Sequence, residues 1–190
     1  MYFQKNERRT KIIIWVFKTG RIFIYKKEML QMKKIIFTLV FLMSAFFGKA
    51  QLRVGGLAPE ISLPDTRDSI IKLSSLRGKV VLVDFWASWC MPCRAANPSI
   101  VRLYKKYKEK GFEVLAVSID TKKDAWLRAI RQDKMTYTQV NENTGWSSTT
   151  AEKYFVEQIP TSFLLDQAGR LVAIDPYGNE LETRIKNLLK

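Results

Sequence analysis

The sequence has no histidine in its 190 residues, and that absence removes whole classes of chemistry. Catalysis by an imidazole base is excluded, and so is any metal centre that needs imidazole ligands, whatever the fold. Cysteine is almost as scarce: there are two, Cys90 and Cys93, three positions apart. Two soft ligands fall short of the four donors of a structural zinc site. The apolar run from Ile35 to Phe47 has 13 residues, short of the roughly 20 of a comfortable membrane-spanning helix. Internal repeats and low-complexity tracts are also absent.

What is present in excess is positive charge, a formal +14. It is unevenly placed. Residues 1–50 hold 11 of the 32 Lys/Arg and 2 of the 18 Asp/Glu, which leaves residues 51–190 at net +5. Those lysines are scattered among acids and form no basic stripe, so no nucleic-acid partner is expected.

Met32-Lys33-Lys34, the apolar run to Phe47 and the small residues around Gly48-Lys49-Ala50 follow the three-part design of a secretory signal: basic end, short apolar core, small-residue cut site. Residues 32–50 are therefore read as a signal peptide or, if never cut, a short anchor. The protein is expected in the periplasm or an equivalent exported compartment, membrane-anchored only if that segment stays attached. No cysteine follows the cut site, so a thioether-linked lipid is excluded. Residues 1–31 carry two short β-prone runs that cannot span a membrane. Translation is expected to start at Met32 or Met29, with 1–31 upstream of the true start.

From residue 51 the pattern reads as one domain. Residues 61–73 alternate around the polar turn Asp65–Asp68 and read as a hairpin. Ser74–Gly78 reads as a turn or helical stub. Val80–Trp86 is nearly continuous apolar sequence, the mark of a central strand buried on both faces. A helix follows, with Ile100, Leu103, Tyr104 and Tyr107 at helical spacing and Pro98 inside it. A strand is expected at 113–119, a helix at 123–134, and a polar stretch at 138–150 leading into a short helix near 151–155. Two strands, 161–166 and 170–175, and a helix at 180–190 close the chain. The order argues for an α/β fold, a mixed sheet covered by helices on both faces.

The chemistry is concentrated in Trp89-Cys90-Met91-Pro92-Cys93, where a strand ends and a helix begins. A helix amino terminus offers unsatisfied N–H groups and partial positive charge, which favour thiolate over thiol. Cys90 is the candidate nucleophile. Cys93, one turn later on the same face, is the candidate to resolve the mixed disulfide that Cys90 forms. Pro92 suits a first helical turn because it lacks the N–H that has no partner there. Asp84 interrupts the apolar strand, and a carboxylate there should be hard to ionise. Poised near neutrality, it would take the proton from Cys93 as that thiol attacks. Ile159-Pro160-Thr161 precedes a strand, and on base rates alone its proline is trans.

Together these residues resemble the thioredoxin superfamily, in particular its TlpA/ResA-like branch. The stretch from Val83 to Cys93 carries the signature, Ile159-Pro160-Thr161 matches the family's cis-proline loop and Pro98 its helix kink. The resemblance covers about residues 55–190. It implies a thioredoxin-like three-layer α/β/α sandwich with a mixed central sheet plus an amino-terminal β-hairpin. It implies that Cys90 attacks, Cys93 resolves, Asp84 accepts the proton and Pro160 is cis. Trp89, Met91, Pro92, Ile159 and Pro160 would contact substrate. It further implies disulfide-containing protein substrates, a membrane electron donor for re-reduction, no cofactor and no metal, and a monomer is expected. Met91-Pro92 and Ile159 look thioredoxin-like and point to a reductase. Ala96 stands where cytochrome-maturation members of the branch usually have glutamate, which favours a general reductant over one dedicated to apocytochrome c.

Two other readings use the same cysteines. A peroxiredoxin-like antioxidant would need a hydroxyl three residues before Cys90 and a proline seven before it, but those positions are Ala87 and Val83. A non-enzymatic protein would use the pair as a metal chaperone or as a plain structural disulfide, and the measured reduction potential separates the last of these from an exchange site.

Overall fold

The computed structural model describes residues 32–34, 36–37 and 52–190. The chain divides into two units, residues 1–49 and 50–190. In the first unit the described residues are helical and exposed. Most of the signal-like segment, and all of 1–31, lie outside the described residues.

The second unit is built on a five-stranded sheet. Its strands are β3 (Val80–Trp86), β4 (Phe112–Ser118), β5 (Thr138–Asn141), β6 (Thr161–Leu165) and β7 (Leu171–Ile174), in spatial order β5-β4-β3-β6-β7. The β3–β4 and β4–β5 pairs are parallel, β3–β6 and β6–β7 antiparallel, so the sheet is mixed. Every residue of β3, β4 and β6 is buried, which is why these strands are mostly apolar, with Asp84 and Glu113 the charged exceptions in β3 and β4. The hairpin, β1 (Ser62–Pro64) and β2 (Ile70–Lys72), forms a separate two-stranded sheet.

The helices are α1 (Met91–Tyr107), α2 (Lys123–Gln132), α3 (Thr149–Lys153) and α4 (Gly178–Leu188). Helices α1 and α4 share one side of the sheet. Tyr107 donates to Glu182 at 2.8 Å, and Cys93 and Leu181 line one cavity with Leu82 of β3. After a short 3₁₀ turn α1 stops at Gly111, whose φ of 96° is a left-handed setting that glycine adopts without steric cost. On the other side Phe85, Tyr154 and Phe163 meet edge-on or tilted, with centroids 5.2–5.9 Å apart. The lead-in and hairpin cross this side. Gly55 and Gly56 bond Leu171 at the β7 edge, Tyr154 donates to the carbonyl of Pro59, and Asp65 bridges Val140 at the β5 edge. The result is a thioredoxin-like fold with an amino-terminal hairpin.

One local expectation needs correction, and two that hold take sharper bounds. The polar stretch 138–150 contains β5, a strand with one apolar side chain, Val140. It pairs because β4 offers an open parallel ladder and Gln139 accepts from the buried indole N–H of Trp86. The stub at 74–78 is a 3₁₀ helix over Leu73–Leu76. The short helix begins at Thr149, because Ser148 caps it by accepting from the Ala151 N–H.

Candidate active site

Strand β3 delivers the chain to the rim of the sheet, and the turn 87–90 hands it to α1. Cys90 is the residue that caps α1: its backbone is extended, and its sulfur accepts from the N–H of Cys93 at 3.2 Å. Pro92 lies in the first helical turn, where a missing N–H costs nothing. Cys90 and Cys93 are joined as a disulfide, with sulfurs 2.02 Å apart. Cys93 is the more buried of the two, 1% exposed against 5%. Around the disulfide, Trp89 and Met91 are exposed apolar side chains and Pro92 is exposed with them.

The turn is held from below. Asp120, at the end of β4, accepts from the Ser88 N–H (2.8 Å), the Ser88 hydroxyl (2.6 Å) and the Ser118 hydroxyl (2.8 Å). Arg94, next to Cys93, forks onto Asp133 with one nitrogen at 2.7 Å and also donates to the Ser88 carbonyl at 3.2 Å. Asn97 donates to the same Asp133 carboxylate at 2.7 Å. These donors hold the Asp133 carboxyl below the usual carboxylate range against the opposing effect of burial.

Beneath the disulfide lies a small cavity of about 20 Å³, lined by Cys93, Asp84, Ala96, Pro160, Ser162 and Tyr177 among others. That is room for about one water molecule. Asp84 is 4% exposed in the middle of β3. Burial, and then the charge of Asp175, raise its carboxyl from 3.8 to about 7. The Ile159–Pro160 peptide bond is cis. Ile159 is half-buried against the core. The structure thus brings Cys90, Cys93, Asp84 and Pro160 to one place, with Trp89, Met91 and Pro92 on the surface above. Ala87 and Val83, where a peroxide-reducing cysteine would want a hydroxyl and a proline, are fully buried apolar residues. Among the described residues no group of three or more His, Cys, Asp or Glu side chains is placed to hold a metal ion.

Sequence reasoning missed Asp120, Arg94, Asn97, Asp175 and Tyr177. Asn97 alone carried a usable signal: it lies four residues after Cys93, on the same helical face, where an apolar residue would be the default. The others act through partners on distant elements.

The AhpC/TSA family profile matches residues 54–174. The thiol-disulfide oxidoreductase ResA of Bacillus cereus is 34% identical over 128 residues, which cover 67% of this chain and 72% of that protein. Among solved structures, a thiol-disulfide oxidoreductase from Bacteroides fragilis superposes with a TM-score of 0.66 at 38% identity, covering 70% of this chain and 98% of the other. The thioredoxin domain of a thiol-disulfide oxidoreductase from Bacteroides vulgatus superposes with a TM-score of 0.69 at 31% identity, covering 74% and 100%.

Proposed function

Since the chain belongs to the AhpC/TSA family and is a thiol–disulfide oxidoreductase, we propose that it works outside the cytoplasm as a general reductant of protein disulfides. The observation that carries this reading is the shared cavity of Cys93 and Asp84, directly under a disulfide whose outer sulfur caps a helix.

The cycle begins with the dithiol. Cys90 thiolate attacks one sulfur of a substrate disulfide, the substrate S–S bond breaks, and the departing sulfur leaves as a thiolate that takes a proton from solvent. The enzyme and substrate are now joined by a mixed disulfide. The Cys93 thiol gives its proton to the Asp84 carboxylate across the cavity and attacks the Cys90 sulfur. The mixed disulfide breaks, and the second substrate sulfur leaves as a thiolate that takes a proton from solvent while Asp84 returns its own proton to solvent. The substrate has gained two electrons and two protons, and the enzyme holds the Cys90–Cys93 disulfide seen here. A membrane-bound dithiol donor returns the two electrons. Asp84, titrating near neutrality, suits a proton that must come and go in one turnover.

Trp89, Met91, Pro92, Ile159 and Pro160 form the face a substrate segment would meet. Ala96 leaves the cavity wall apolar where a second acid would specialise the site, which supports a broad clientele. Export rests on residues 32–50 as a signal or short anchor. Among the described residues no helix is long and apolar enough to cross a membrane. Residues 1–31 are proposed to precede the translational start, and the intact mass of the natural product tests both statements.

The decisive experiment uses two variants. Cys93→Ser should accumulate substrates as mixed disulfides on Cys90, and Cys90→Ser should lose reduction of insulin disulfides by dithiothreitol. A Cys90→Ser variant with undiminished activity overturns the mechanism.

A further inference from the structure

The row of residues beneath α1 extends beyond Asp84. Across the sheet, β5, β4, β3 and β6 place Gln139, Ala116, Asp84 and Ser162 in register. Ser162 turns both of its backbone groups away from β3. Its N–H donates to the Asp175 carboxylate at 2.6 Å, and its carbonyl accepts from the Asp175 N–H at 2.8 Å. Asp84 and Ser162 therefore form a non-hydrogen-bonded pair, the kind with the closest side chains. Asp175 sits on the far side of Ser162, two strand spacings of about 4.8 Å from Asp84.

Asp175 follows β7 with a φ of 49°. A residue with a Cβ is uncommon there, and aspartate tolerates it when its short side chain bonds locally, as it does here. Its carboxylate also receives the Tyr177 hydroxyl at 3.4 Å, and that hydroxyl lies 3.5 Å from the carbonyl of Pro160. Asp175 thus reaches the loop on which substrate would lie through the Tyr177 hydroxyl, and stands one strand beyond the acid that would hold the proton.

We propose that Asp175 is a positioning residue of the dithiol site: its negative charge opposes ionisation of Asp84 across β6, and so sets the pH at which Asp84 can accept the Cys93 proton. The inference rests on the functional reading above and deepens it. The neighbours of Asp84 are few. Cys93 faces it from α1, Tyr177 from the start of α4 and Tyr137 from the approach to β5. Ala116, Gln139 and Ser162 are neutral. Asp175 is the charge that adds to the effect of burial on Asp84. Tyr177 senses both carboxylates: burial, then Asp175, then Asp84 push its hydroxyl up to about 12.

The test is the titration of the Asp84 carboxyl carbon, followed by ¹³C NMR in the intact oxidised protein. In Asp175→Asn, which keeps the acceptor for the Ser162 N–H, the transition should fall by about one pH unit. The limb of the pH–rate profile for disulfide exchange should move by the same amount. Tyr177→Phe, which keeps the charge, should leave the transition where it is. If Asp175→Asn does not fold, Asp175→Gly accepts the left-handed backbone and carries the same measurement. A transition unmoved by loss of the Asp175 charge overturns the proposal, as does an equal shift in Tyr177→Phe. Because the titration needs no turnover, it decides the role of Asp175 even if Cys90→Ser proves active and the functional reading falls.

Discussion

The backbone N–H of Cys93 points at the sulfur of Cys90 from 3.2 Å, inside the first turn of α1. When the disulfide opens, that donor remains aimed at the sulfur that must carry negative charge, while Cys93 itself is nearly sealed from solvent. The two thiols of the reduced protein should therefore differ in reactivity. At pH 7 iodoacetamide should modify Cys90 about tenfold or more faster than Cys93, as read by mass mapping of alkylated peptides. Equal rates would contradict the assignment of roles.

Asp84 gives the fold a pH dependence of unusual sign for a carboxylate. Its native pKa is raised from 3.8 to about 7. Below about pH 4 it is protonated in native and unfolded chains alike, and its burial costs nothing extra. Between pH 4 and 7 the unfolded chain ionises while the native one does not, so stability falls with rising pH and levels off above 7. Asp84→Asn lacks this titration. Relative to wild type it should gain up to about 4 kcal/mol between pH 4 and pH 8, because three units at 1.36 kcal/mol each are involved. Urea unfolding at the two pH values measures it, and a pH-independent difference would show that Asp84 is not held protonated.

Arg94 and Asp133 pair with the planar fork that lysine cannot reproduce. Arg94→Lys should keep the charge but lose one contact to Asp133 and the bond to the Ser88 carbonyl. A cost of about 2 kcal/mol is expected from the loss of charge-assisted hydrogen bonds in a partly buried site. Denaturant midpoints give the stability. The exchange rate should fall as well, since the same guanidinium steadies the turn that carries Cys90.

Tyr137 is buried at 4% exposure, and its hydroxyl has no hydrogen-bond partner among the described residues. Burial, with Asp84 and Asp133 behind it, drives its ionisation far above the usual range. Its ring packs edge-on against Tyr104, centroids 5.6 Å apart, and Phe would keep that contact. Tyr137→Phe should raise stability by about 1 kcal/mol, because an unpaired buried polar group is removed at little cost in packing. A loss of that size by thermal or urea denaturation would mean the hydroxyl has a partner after all.

Most of this architecture can be read from short stretches of sequence. Val80–Trp86 announces a central strand because both of its faces are buried, and Asp84 stands out for the same reason. Trp89–Cys93 announces a helix start because Pro92 suits a first helical turn, where its missing N–H has no partner to lose. Strand β5 is different: three of its four residues are polar, and it exists because β4 has an edge to fill and because Gln139 and Asn141 bond to Trp86 and Asp120. Arg94 reads as one more helical surface cation, since Asp133 is 39 residues away. Asp175 reads as a turn residue before proline. Its nearness to Asp84 arises only when β6 slots between β3 and β7, and no local pattern encodes that.

The segment that straps the sheet, bonding Leu171 through Gly55 and Gly56 and bridging Val140 through Asp65, occupies part of both outer strands. An exposed strand edge is a template for pairing with other chains, and the clients proposed for this one are disulfide-bearing proteins that its reaction leaves without their cross-link. A blunted edge lets such clients be held by one sulfur–sulfur bond and a surface loop, and then let go. They cannot readily zip onto the sheet and remain there as aggregate.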